Sequence, residues 1–204
     1  MISTTVSLPM SGFPPLALGF MGLGTGYLIY GIQELFGYPK RNPDNDVATG
    51  IWGLWLPGFF QLVAGIFLFA GLTLFGTFTA GPLYMAALAF TAYGVHWFAL
   101  GWIRLRGRSD LRIQLGMSIG FLAISALGII VFFGAHDHPV GGVFIGLTGV
   151  YLAELLLSLK PDFPKLGAFA ERLLGFFHLG TGLWLLYLMF AVTVDFALSY
   201  HWIT

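Results

Sequence analysis

Cysteine is absent. Thiol nucleophiles, disulfides and thiolate metal ligands are excluded with it, and nothing in the chain reports a redox compartment. Charge is nearly as scarce. Nine basic and nine acidic side chains among 204 residues make 9%, against about 25% in soluble domains, too few to coat a water-facing surface. No Gly-Lys-Ser/Thr phosphate cradle and no His-Glu-x-x-His pair occurs, which argues against ATP-driven transport by this chain alone and against zincin chemistry. The first fifteen residues, MISTTVSLPMSGFPP, hold no basic residue and no apolar run of their own. The first span is therefore expected to serve as the insertion signal, without a cleavable peptide.

What fills the chain instead is apolar: 57% hydrophobic residues, 17% aromatics and 29 glycines. Six runs, at about 14–36, 51–74, 81–103, 112–134, 140–159 and 171–198, reach the roughly 20 residues a bilayer core requires. None alternates with period two, so a β-barrel is excluded. The expectation is an all-α polytopic membrane protein, six helices in a compact bundle, with residues 1–204 forming one domain.

Basic residues are also missing from two places, the connections near 75–80 and 135–139. All nine fall at the other three connections or their edges: Lys40 and Arg41, then Arg104, Arg106, Arg108 and Arg112, then Lys160, Lys165 and Arg172. The positive-inside rule makes that side cytoplasmic and puts both termini outside, in the cell membrane. The Arg cluster also suits lipid headgroups. The stretch GYPKRNPDNDVATG (37–50) reads as a loop. Its Asp44 and Asp46 lack the glycine and closing glutamate of a calcium loop, and His136-Asp137-His138 reads as a polar turn. No metal, cofactor or catalytic set is expected.

Polar groups inside spans face the bundle or a water path. Thr25, Gln61, Tyr93 and Thr181 fall near the middles of spans 1, 2, 3 and 6. Thr91, Ser118, Ser125 and Thr148 lie close to theirs. His96 stands about 6 Å beyond midplane toward the basic side, and His178 lies at a similar depth. Each histidine is either a functional group, titrating near neutrality in ordinary surroundings, or a core residue bonded to a backbone carbonyl. One phrase is written twice, LGFMGLGTG at 18–26 and LGFFHLGTG at 174–182. Span 4 does not match span 1, so a three-plus-three duplication is not indicated. Glycines flanking threonine suit close helix packing, as does the spacing of Gly22–Gly26, Gly116–Gly120 and Gly142–Gly146.

Three motifs carry a resemblance. PLALGFMGLGTG (15–26) resembles the first-helix Asn-Pro-Ala-Pro-Leu-Gly-Leu of the acetate uptake (succinate–acetate permease) transporters. PGFFQLVAG (57–65) resembles their Gly-Gly-x-x-Gln-x-x-x-Gly, and TAYGVHWFAL (91–100) their Ser-Tyr-Gly-x-Phe-Trp. The resemblance implies a six-helix protomer in a homo-oligomeric ring, often a hexamer, with one narrow path per protomer for a small monocarboxylate such as acetate. It implies a constriction of Tyr93, a first-helix residue that is Phe20 or Leu23, and an aliphatic residue on a later helix. Leu68 stands where the family has an acid, His96 where it has Phe, and Gly12-Phe13-Pro14 where it has Asn-Pro. Its better-known bacterial members distribute charge as if both termini were inside.

The expected function is thus a channel or proton-coupled transporter for a small monocarboxylate. The expected pathway residues are Phe20, Leu23, Thr25, Gln61, Tyr93, His96, Trp97, His178 and Thr181. A urea, ammonia or gas channel, and a non-transporting scaffold subunit of an enzyme complex, are the alternatives. A midplane plugged by bulky side chains would mark the scaffold.

Overall fold

The computed structural model describes residues 13–107 and 110–198, with side chains from residue 15. Arg108, Ser109 and the Gly12 of the first-helix motif lie outside the described residues. The described residues form six long helices, each apolar enough to cross a membrane: the protein is a multi-pass membrane bundle. Helix α1 is Phe13–Phe36. Helix α2 runs continuously over Pro43–Leu74, with π-helical turns at Leu54–Phe59 and Ala70–Leu74. Then come α3 (Pro82–Arg106), α4 (Gln114–Gly134), α5 (His138–Ser158) and α6 (Pro164–Leu198).

The second helix begins earlier than the sequence suggests. Residues 43–50, expected in a loop, form its first turns. Asn42 caps them, its side-chain oxygen accepting the Asn45 N–H at 2.8 Å, and Pro43 opens the helix with Asp44 and Asp46 behind it. Asn, Pro and Asp write turns, but they also write helix starts, where proline loses no bond and carboxylates meet the positive dipole end. Asp137 repeats the device at α5, accepting the Val140 N–H at 3.1 Å. At 35 residues, α6 is about 50 Å long, well beyond the thickness of a bilayer core, and its N-terminal turns extend toward the basic side.

The twice-written phrase is a seam. Helices α1 and α6 share the most extensive contact in the bundle. A Cβ on Gly24 would stand 3.1 Å from the Gly182 carbonyl oxygen, and one on Gly182 3.1 Å from that of Gly24. Lower down, a Cβ on Gly175 would come 2.6 Å from the Leu35 nitrogen. Glycine is required there because backbone meets backbone. On the other side of α1, a Cβ on Gly26 would meet the Pro57 ring at 2.7 Å. Pro57 sits in the first π turn of α2, where the widened backbone accommodates its missing N–H. Gly146 packs under Thr181. Gly116 and Gly120, despite the same spacing, are exposed on α4 and meet nothing within 4 Å, so that pair does not pack helices within the bundle.

Candidate solute pathway

Two cavities enter the bundle from opposite ends. The first, about 350 Å³, opens beside Thr77–Leu83 and Ala135–Val140. Its walls are Leu16, Phe20 and Leu23 of α1, Gln61 of α2, Phe90 and Tyr93 of α3, Phe144 and Leu147 of α5, and Leu185 of α6. The second, about 340 Å³, opens on the basic side and is lined by Tyr30, Gln33, Glu34, Asp46, Arg104, Glu154, Glu171 and His178, among others. We call them the apolar and the charged cavity. Helical spacing builds both. On α1, residues 16, 20 and 23 face the first and residues 30, 33 and 34 the second, with Tyr27 between, every three or four residues along one stripe.

An aromatic layer separates them. Tyr27, fully buried, lies against the His178 ring (centroids 4.4 Å) and beside Trp97 (5.8 Å), which meets Tyr30 edge to face at 4.9 Å. Tyr93 stacks on Tyr151 at 5.3 Å, Tyr151 on Phe121 at 5.2 Å, and His96 packs against Phe121 at 4.9 Å. Ser125 donates to the Phe121 carbonyl at 2.8 Å, so its oxygen is left to accept the Tyr93 O–H at 2.9 Å. The layer is closed by side chains from α1, α3, α4, α5 and α6.

Neither histidine bonds a backbone carbonyl. His178 Nδ1 lies 2.6 Å from Glu34 Oε2, joining α6 to α1. His96 Nε2 stands 3.5 Å from Glu154 Oε1, joining α3 to α5. All four side chains are buried or nearly so. Below them Arg104 donates to Gln33 at 2.5 Å and to Asp46 at 3.1 Å, with its guanidinium 4.5 Å above the Tyr30 ring. Arg41 binds the same Asp46 at 3.0 Å, and that hydrogen bond raises the Arg41 pKa further. Lys160 pairs with Glu171 at 2.6 Å. Asp46 and Glu171 of this cavity are thus met by Arg41 with Arg104 and by Lys160, while Glu34 and Glu154 each face a histidine. In the apolar cavity the only charged group is Asp137 at the mouth. Burial pushes its carboxyl up from the ordinary range, against the opposing pull of the Val140 N–H and His138.

Gln61 is different. It has no exposed surface, it lines the apolar cavity, and neither its amide oxygen nor its nitrogen has a partner. A buried polar atom left without a bond costs about 1–3 kcal/mol, and this side chain carries two.

Of the nine expected pathway residues, the structure brings Phe20, Leu23, Gln61 and Tyr93 to the apolar cavity and His178 to the charged one. Trp97 and His96 lie in the layer between. Thr25 and Thr181 line neither cavity: Thr25 is half-buried with its hydroxyl 4.0 Å from the Met21 sulfur, and Thr181 packs on Gly146. Sequence reasoning passed over Tyr27, Tyr151, Glu34 and Glu154. The signal was present, since residues 27, 30 and 34 fall on one stripe of α1, and residues 151 and 154 on one stripe of α5. Among the described residues no three His, Asp or Glu side chains gather closely enough to hold a metal ion. The His136 and His138 rings stand 6.3 Å apart, edge to face.

No family model and no curated protein matches the chain. Among solved structures, the bacterial acetate channel SatP is similar over 93% of this chain and 97% of that one, with a TM-score of 0.69 at 18% sequence identity. The two proteins share a fold.

Proposed function

We propose that this protein is a cell-membrane pathway for a small monocarboxylate of the acetate class. The observation that carries the reading is the apolar cavity. The glutamine and tyrosine of the two family-like motifs, on different helices, line the same cavity in a fold shared with an acetate channel. The solute enters from the apolar cavity, passes the aromatic layer when its rings part, and leaves through the charged cavity. Phe20 or Leu23, with Tyr93, forms the constriction. Leu147, 2% exposed and lining the same cavity, is the aliphatic third member. His178 with Glu34, or His96 with Glu154, holds the proton if transport is coupled.

The test is flux into proteoliposomes, comparing acetate, bicarbonate, urea and ammonia. Acetate flux well above that of protein-free vesicles is expected, with bicarbonate excluded. Preference for urea or ammonia over acetate would replace the monocarboxylate. A second reading has one specific observation behind it: the closed layer of bulky rings suits a scaffold subunit. That reading expects no flux of any of these solutes.

We further propose that both termini face outward and that protomers assemble as a ring, a hexamer by resemblance. The uncovered Gly116–Gly120 face of α4 is suited to a neighbouring protomer. The basic connections support the orientation. A cysteine replacing exposed Thr79 should react with an impermeant maleimide added to intact cells, and one replacing exposed Asp162 should react only after lysis. The reverse pattern would invert the protein in the membrane and leave the six spans standing.

A further inference from the structure

We propose that the apolar cavity recognises the uncharged form of its solute, the carboxylic acid rather than the carboxylate, and that Gln61 makes the distinction. The inference rests on the pathway reading above and names the species that passes.

The first argument is electrostatic. No Lys, Arg or His lines the apolar cavity, and its one charged side chain, Asp137, is itself an acid. Besides Gln61 and Asp137, the polar side chains lining the cavity are Thr77 and Thr79 at the mouth and Tyr93, whose hydroxyl is already bound to Ser125. The histidines and Arg104 lie in or beyond the aromatic layer. Arg104 is bound by Asp46 and Gln33, and each histidine faces a carboxylate. A carboxylate in the apolar cavity would be a buried charge with no counter-charge, an arrangement proteins avoid. An uncharged acid loses far less on leaving water.

The second argument is the shape of the free hydrogen-bonding groups. Gln61 presents one acceptor and, beside it, an N–H donor, both unpartnered and both fully buried. A carboxylic acid carries the complementary pair: its O–H donates to Oε1 and its carbonyl accepts from Nε2. A primary amide such as acetamide carries the same pair. A carboxylate carries two acceptors, so one of its oxygens would face Oε1 in repulsion. The site therefore groups acetic acid with acetamide and separates both from acetate.

The test measures uptake of externally added radiolabelled acetate or acetamide into proteoliposomes, with uptake by protein-free vesicles subtracted. For wild-type protein at fixed total acetate, flux should fall about 100-fold from pH 5.5 to 7.5, tenfold for each unit above the pKa of a carboxyl group. It should not respond to an imposed inside-positive potential, and acetamide should enter at a rate independent of pH. Gln61→Leu should lower both fluxes while its thermal unfolding stays close to wild type. Acetate flux that holds or rises with pH, and that an inside-positive potential accelerates, would overturn the proposal and leave a carboxylate pathway in place. The potential and pH arms need no variant, so a poorly folding Gln61→Leu does not blunt them. Absence of flux for both solutes would overturn the pathway reading and this inference together.

Discussion

Tyr93→Ala should raise solute flux about tenfold or more, the equivalent of about 1.4 kcal/mol off the barrier. It should also admit carboxylic acids larger than the wild-type protein passes. Tyr93 is 2% exposed, forms the floor of the apolar cavity, and holds the layer shut by stacking on Tyr151 and bonding Ser125. Removing the ring joins the apolar cavity to the space below. The variant should also be destabilised by about 3–5 kcal/mol, as when other large aromatics are cut to alanine. Tyr93→Phe separates the two roles: it keeps the stacking, gives up one hydrogen bond worth about 1 kcal/mol, and should leave the size limit unchanged. Flux assays with propionate, butyrate and benzoate beside acetate would measure that limit. If wild-type protein passes nothing and Tyr93→Ala only leaks, the layer is a plug and the scaffold reading prevails.

Glu34→Ala should destabilise the bundle by about 1–3 kcal/mol, because it leaves a buried imidazole without its hydrogen-bond partner. His178 and Glu34 side chains are 3% and 11% exposed and 2.6 Å apart, and they close the α1–α6 seam between the Gly24–Gly182 contact and Gly175. His178→Ala should cost a similar amount. The double replacement Glu34→Leu with His178→Leu should recover most of the loss, since a buried pair replaced by apolar side chains of like volume is often neutral. Thermal unfolding in detergent, read as a double-mutant cycle, checks this. Additive losses would mean that the pair does not act as a unit.

The six spans were legible because a bilayer demands long apolar runs, and this chain spends few charges elsewhere. Gln61 and Tyr93 were legible from motif, and their shared cavity agrees with the depths assigned to them. The helix start at Pro43 was hidden because Asn-Pro-Asp serves turns and caps alike. Thr25 and Thr181 stand apart from the two cavities, and a threonine inside a span is a weak signal because it can satisfy its hydroxyl locally. Thr148 does so, donating to the Phe144 carbonyl one turn back at 2.8 Å. The carboxylates were hidden for a different reason. Glu34 lies near the end of its span, where an acid looks like an interface residue, and its partner is 144 residues away, beyond any local pattern.

That distance also sets an order of events. A ribosome delivers α1 to the membrane first and α6 last. At the usual pace of synthesis, His178 follows Glu34 by roughly 7–30 s. Through that interval the first helix waits in the membrane with its carboxylate unmatched and its glycine face bare, and four other helices insert before the seam can close. The last helix is thus a latch. A nascent chain interrupted before residue 164 presents quality-control proteases with an open bundle, and a separately synthesised final helix should restore it by supplying the missing imidazole and Gly182.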